Sequence, residues 1–203
     1  MDYFYYKLDK KKRQEWKNLA NEMECKYFEE KQKRDYCDNF KTFQRGLNWE
    51  CWNLIEGQNQ GCNIAVMECF DESWTDEILP NFTACLLTKE NLSLPSCYLR
   101  DKAFNFTFLK REVIMKKIKF ENDTLFSNRF IVMTEDNNTQ EMFSDSVRAE
   151  FIKHKEKKVV FESRGNQILL SQDGDVNIEK VRSIAKSAYH ILNILQEYSP
   201  VQI

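Results

Sequence analysis

Glycine and proline are scarce in this 203-residue chain, at five and three residues, and histidine occurs only twice. So little glycine excludes a collagen-like or low-complexity architecture. None of the five has the spacing of a phosphate-cradling loop or a dinucleotide fingerprint. His-Glu-x-x-His and Gly-x-Ser-x-Gly patterns are missing as well. No apolar run approaches the roughly 18 residues that a membrane-spanning helix needs. Charge of one sign is not in surplus either: 30 Lys plus Arg stand against 32 Asp plus Glu. A dedicated nucleic-acid binder needs a basic surplus to neutralise phosphates, so that class is set aside. The opening, Met1-Asp2-Tyr3, lacks the apolar segment of a secretory signal.

What is present is apolar mass. Hydrophobic residues make up 42% of the chain and 15 residues are Phe, enough for a substantial core. Nothing inside reads as a linker. The expected organisation is an N-terminal helical segment over 1–45, basic and aromatic at its start, and an α+β domain over 46–203, together forming one compact unit.

The seven cysteines all fall in the first half. Their number is odd and no signal peptide precedes them, so free, mostly buried thiols in a reducing cytosol are expected. No two of them have the two-to-four-residue spacing of a structural zinc site; the nearest pair is Cys62 and Cys69. His190 falls on a periodic helix and His154 in Lys153-His154-Lys155. Neither belongs to a catalytic motif, and no catalytic residue, metal site or cofactor is assigned. The Asn-x-Ser/Thr sequons at Asn81, Asn91, Asn105, Asn122 and Asn137 are read as a by-product of an Asn-rich composition. Glu24-Cys25-Lys26 has the Glu-x-Lys form of some metal-dependent nucleases, a match that chance supplies in a chain that is 31% charged.

Hydrophobic spacing sets the expected elements. Trp16, Leu19, Ala20 and Met23 mark an amphipathic helix over about 9–25, whose basic first turn opposes the helix dipole. Tyr36, Phe40 and Phe43 suggest a short helix over 33–43, ended by Gly46. Residues 49–56 and 62–70 read as a hairpin with a turn over 57–61, and 82–88 as a third strand. Residues 94–100 are extended, because Pro95 keeps Leu94 out of the helical region. The stretch 104–117 fits either period, with a lean to helix over 108–115. Short strands at 118–120 and 130–133 precede a helix over 139–153. A hairpin over 159–171 and a turn at Asp173-Gly174-Asp175 lead into a helix over 177–197. Its residues Ile178, Val181, Ile184, Ala185, Ala188, Ile191, Leu192 and Leu195 form one apolar stripe wide enough to lie on a sheet. The fold class is therefore α+β: a largely antiparallel sheet with packed helices, including a long C-terminal amphipathic helix.

Several loose motifs span most of the chain: Arg13-Gln14-Glu15-Trp16-Lys17-Asn18-Leu19-Ala20; Phe40, Phe43 and Gly46; Gly57, Gly61 and Phe70-Asp71; Leu94-Pro95 with Leu99-Arg100, followed by Asp101 where Pro would fit; Ile118/Phe120; Phe126-Ser127 with Phe130; and Glu162, Gly165-Asn166, Leu169-Leu170 before the final helix. In this order the chain resembles a family of uncharacterised bacterial proteins, common in cyanobacteria. The resemblance implies this α+β domain and brings no catalytic residues. It also implies one or two membrane helices ahead of the basic helix. This chain has none, so it is expected to be a soluble form or to have lost the segment before Met1.

Tyr5 and Tyr6, with Lys10, Lys11, Lys12 and Arg13, look like the aromatic and basic rim beside a membrane helix. The function expected is a non-catalytic cytoplasmic interaction domain tethered at or near a membrane, whose partner is an unidentified protein or an anionic membrane surface. The rival is a small-ligand binder or an enzyme whose polar groups are scattered in sequence around Arg100, Glu162 and Arg164. A third reading is an antagonist such as an immunity protein, motivated by size and acidity.

Overall fold

The computed structural model describes residues 10–29, 39–45, 49–71, 81–103, 115–136, 138–153 and 158–198. Their nine strands form one antiparallel sheet: β1 (Lys26–Phe28), β2 (Trp49–Asn59), β3 (Cys62–Asp71), β4 (Asn81–Thr88), β5 (Leu94–Asp101), β6 (Lys116–Ile118), β7 (Phe130–Thr134), β8 (Val159–Gly165) and β9 (Gln167–Asp173). The helices are α1 (Lys10–Glu22), α2 (Thr124–Arg129), α3 (Thr139–Met142), α4 (Asp145–Lys153) and α5 (Ile178–Tyr198), with a 3-10 turn over Lys41–Arg45. The fold is α+β, an antiparallel sheet with packed helices and a long C-terminal one.

The strand order is β1-β2-β3-β4-β9-β8-β5-β7-β6. Strands β1 to β4 and strands β5 to β7 are thus two separate blocks. The last hairpin enters between them, β9 pairing with β4 from Phe82↔Asp173 to Thr88↔Gln167, and β8 pairing with β5. All helices pack on one face, over Ile64, Val66, Cys85, Leu87, Leu99, Phe161 and Leu170. On that face α5 buries Val181, Ile184, Ala185, Ala188, Ile191, Leu192 and Leu195, with Ile178 half-buried. Under α2 to α4, Phe120, Phe126, Phe130, Phe143, Phe151 and Phe161 stack in a chain of ring contacts with centroids 5.2–6.3 Å apart. The opposite face carries Leu54, Met67, Phe82, Ala84, Leu86 and Leu169, covered by Phe40 just before the 3-10 turn and Phe43 within it.

Three local expectations need correction. The first hairpin turns at Gln60-Gly61, both with positive φ (49° and 73°), as a two-residue primed turn requires. Gly57 is not in the turn; it lies inside β2, where a Cβ would come within 2.9 Å of the Cys25 Sγ. Its missing side chain serves close packing. The helix expected over 139–153 is two helices. Ser144 interrupts it, its Oγ accepting from the Val147 N–H at 3.4 Å as the start of α4. The strand expected at 118–120 is shifted to Lys116–Ile118, because Phe120 turns inward to the ring cluster. The expected helix over 108–115 lies outside the described residues except for Met115, and residues 33–38 of the expected second helix lie outside them too.

Asp123 caps α2, accepting from the Phe126 N–H at 3.0 Å, and pairs with the Arg148 Nε at 2.8 Å. The Arg148 guanidinium first, and the Phe126 N–H second, hold its carboxyl below the ordinary carboxylate value. A lowered folded-state pKa adds stability that is complete above the ordinary range near about pH 4. That stability is lost as pH falls through the lowered value. Asp123→Asn should therefore cost about 1 kcal/mol at pH 7, and the difference from the wild type should shrink on acidification below about pH 3. Urea titrations at both pH values measure it, and a difference independent of pH would refute the assignment. Ile184→Asp places a carboxylate in the core under α5 and should cost more than about 4 kcal/mol. A soluble variant with an unchanged melting temperature would contradict the packing of α5.

Candidate functional site

The sheet register sets Glu162 of β8 beside Tyr98 of β5 and Leu169 of β9. Its neighbours in sequence, Phe161 and Ser163, face the helices, so Glu162 points to the opposite side. There it is 4% exposed, and its two carboxylate oxygens accept from the Lys41 and Thr42 backbone N–H groups, each at 2.6 Å. The carboxylate thus takes up two donors of the 3-10 turn and fastens residues 39–45 to the sheet.

The edge of this contact opens into a polar cleft of about 280 Å³. Arg164 stands at its mouth, Nη1 donating to the Asn39 carbonyl at 3.3 Å. Lys41 closes another side, its Nζ 3.2 Å from the Glu135 Oε1. On the helical side of the same strand, Ser163 donates from Oγ to the Pro95 carbonyl at 2.6 Å and lies 3.1 Å from the Cys97 Sγ. Burial pushes the Cys97 thiol up to about 12, so it is protonated at neutral pH and is no nucleophile. His190 lies on α5 instead, 3.3 Å from the Glu150 Oε2. The cleft can receive a small anion or a polar side chain at Arg164.

Of the three scattered residues expected to meet, Glu162 and Arg164 share this cleft. Arg100 pairs in register with Val160, not lining the cleft. Tyr5 and Tyr6 lie outside the described residues. The basic cluster divides. Lys10 and Lys11 are exposed at the start of α1. Lys12 reaches down to Glu68 at 2.6 Å, and Arg13 pairs with Glu29 at 3.0 Å.

Glu68 was not singled out by the sequence reading. It is fully buried in β3 and also accepts from the Asn53 Nδ2 at 2.7 Å. The Asn53 Oδ1 in turn accepts from the Tyr27 hydroxyl at 2.6 Å, and burial raises the Tyr27 pKa, keeping it a donor. Asn53 sits at the irregularity between Trp52 and Ile55 with φ 47°, a left-handed geometry that Asn tolerates better than most residues. The signal was available: one acidic residue within the apolar run Cys62–Phe70. Among the described residues, no group of His, Cys, Asp and Glu side chains is arranged to hold a metal ion.

No family model matches the chain, and no curated protein does. Among solved structures, the chain is similar to the mycobacterial trehalose monomycolate transport factor A, TtfA. The TM-score is 0.67 over 92% of this chain and 95% of that one, at 13% sequence identity. Identity this low establishes a shared fold and nothing about the site.

Replacing Glu162 by Gln leaves one acceptor for two N–H donors and turns an amide toward the other. Glu162→Gln should cost about 2 kcal/mol in urea unfolding. It should also speed hydrogen exchange at Lys41 and Thr42 while β8 stays protected. Unchanged exchange at these amides would show that the carboxylate does not hold the turn.

Proposed function

We propose that the chain is a non-catalytic interaction domain that works in the cytoplasm close to an anionic membrane surface, as a member of the bacterial family it resembles. The observation that carries this reading is how four of the five buried acids among the described residues are used. Glu68 holds Lys12 and Asn53, and Glu162 holds the 39–45 turn. Asp101 takes Arg129 at 3.1 Å and the Ala103 N–H at 2.8 Å. Glu150 takes Lys153 at 3.1 Å and His190 at 3.3 Å. Each of these carboxylates fastens one segment of the fold to another. Likeness to a transport factor fits a role in assisting a machinery better than one in turning over a substrate. No helix among the described residues is long and apolar enough to cross a membrane. The membrane part of the proposal rests on Lys10 and Lys11, which stay exposed at the N-terminal end of α1, and on the tyrosines that precede them in sequence.

The second reading, a small-ligand binder, is favoured by the polar cleft at Arg164 and Glu162. Bound density there in a crystal grown with small carboxylic acids would decide for it.

The full chain should sediment with phosphatidylserine-containing vesicles and not with pure phosphatidylcholine. Lys10→Gln with Lys11→Gln should weaken that binding about 30-fold, at about 1 kcal/mol for each lysine near the surface. Lys12 and Arg13 are left in place because they anchor α1. Equal sedimentation of the wild type with both vesicles, or an unaffected double variant, would remove the membrane from the proposal.

A further inference from the structure

The edge strand β6 pairs with β7 only as far as Ile118↔Val132. Beyond this point the chain leaves the sheet toward α2, and a groove of about 400 Å³ opens between β7 and α2. Its floor is apolar, with Phe120, Phe130, Ile131 and Val132. Its rim carries Lys102, Lys117 and Lys119, all exposed, against the single acid Glu121. Lys102 donates to the Ser127 carbonyl at 2.7 Å. Lys117 and Lys119 make no ion pair with the described residues, in contrast to Lys12, Lys41 and Lys153. Next to Thr124 of the rim stands Leu125, 72% exposed and the one large exposed hydrophobic side chain among the described residues.

Lysines on an edge strand commonly guard it against edge-to-edge pairing. That accounts for Lys117, but not for Lys102 and Lys119, which lie off the strand, nor for Leu125. We propose that this groove docks an acidic segment of a partner protein, carboxylates on the lysine rim and an apolar side chain on the Phe-lined floor. Charge complementarity selects an acidic occupant. The chain's own segment just before β6 has the wrong sign, with Lys110 and Arg111 against Glu112. A concave floor suits side chains better than a flat lipid surface. The groove also lies at the opposite edge of the sheet from β1, eight strand spacings or roughly 40 Å away. A domain held near a membrane through α1 would therefore keep this edge free for a partner. The inference rests on the reading of the chain as an interaction domain.

The test is to pan a random peptide display library on the full chain and to measure the selected peptides by fluorescence anisotropy. Enrichment of peptides that combine Asp or Glu with Leu or Phe is expected, with affinity falling as salt rises. Lys117→Glu with Lys119→Glu should weaken their binding tenfold or more, and Leu125→Gln severalfold, at unchanged melting temperature. Selected peptides without acidic enrichment, or binding that the double variant leaves intact, would overturn the proposal. So would sedimentation with phosphatidylserine vesicles that depends on Lys117 and Lys119, since the occupant would then be a membrane. Loss of vesicle binding in the Lys10 and Lys11 variant leaves this outcome untouched, so the two readings fail separately.

Discussion

The backbone ladders that the β8–β9 hairpin makes on both of its sides hold the two blocks of the sheet together. On one side β9 runs along β4, and on the other β8 runs along β5. Side chains of this hairpin then serve both faces. Phe161, Ile168 and Leu170 join the core beneath the helices, while Leu169 and Val160 lie on the opposite face. Glu162 fixes the 39–45 turn. Helix α5 follows directly and lies across β4 and β9, closing the seam that the hairpin makes. The helical face, the covered opposite face and the polar cleft all depend on this one insertion.

Two buried carboxylates, one on each side of the sheet, do comparable work. Glu68 ties α1 down on the helical side, through Lys12, and links β2 and β1 through Asn53 and Tyr27. Glu162 ties the 39–45 turn to the opposite face. Taking a carboxylate out of water is costly unless its oxygens are met by donors, and such a pair contributes position more than net stability. In both cases the donors come from segments that also pack apolar side chains on the sheet, Trp16, Leu19 and Ala20 from α1 and Phe40 and Phe43 from the turn. Lys41 and Thr42 offer backbone N–H groups, and Lys12 comes from a first helical turn that its own dipole disfavours. The basic start of α1, unfavourable for the isolated helix, is matched in part by an acid on the strand below.

The periodicity of the sequence was a good guide wherever one face of an element is apolar. Helix α5, helix α1, and strands β2 to β5, β8 and β9 follow their patterns because burial is one-sided or continuous there. It misled where the cause of a residue lies elsewhere in the chain. Gly57 resembles a turn residue, but its requirement comes from Cys25, 32 positions earlier. The apolar positions of 139–153 share a helical period across the break at Ser144, so the period alone conceals two helices. Glu162 and Arg164 were legible as polar residues flanking a hairpin turn. The group they meet, the 39–45 turn, is set by pairing between distant strands. A single acid in a strand fits an edge position equally well; the burial of Glu68 follows only from the strand order.

The position of the last hairpin bears on how the chain is made. Ribosomes deliver residues 81–101 well before residues 159–173, so β4 and β5 emerge with neighbours on one side at most. Strand β4, Asn81–Thr88, is buried along nearly its whole length in the finished sheet. Until the hairpin arrives, this apolar strand has an open backbone edge, the kind of surface that pairs with other chains. Nascent chains held at any point before Asp173 should therefore be the species most in need of a chaperone, and the fold gains its cooperativity only when nearly all of it has been synthesised.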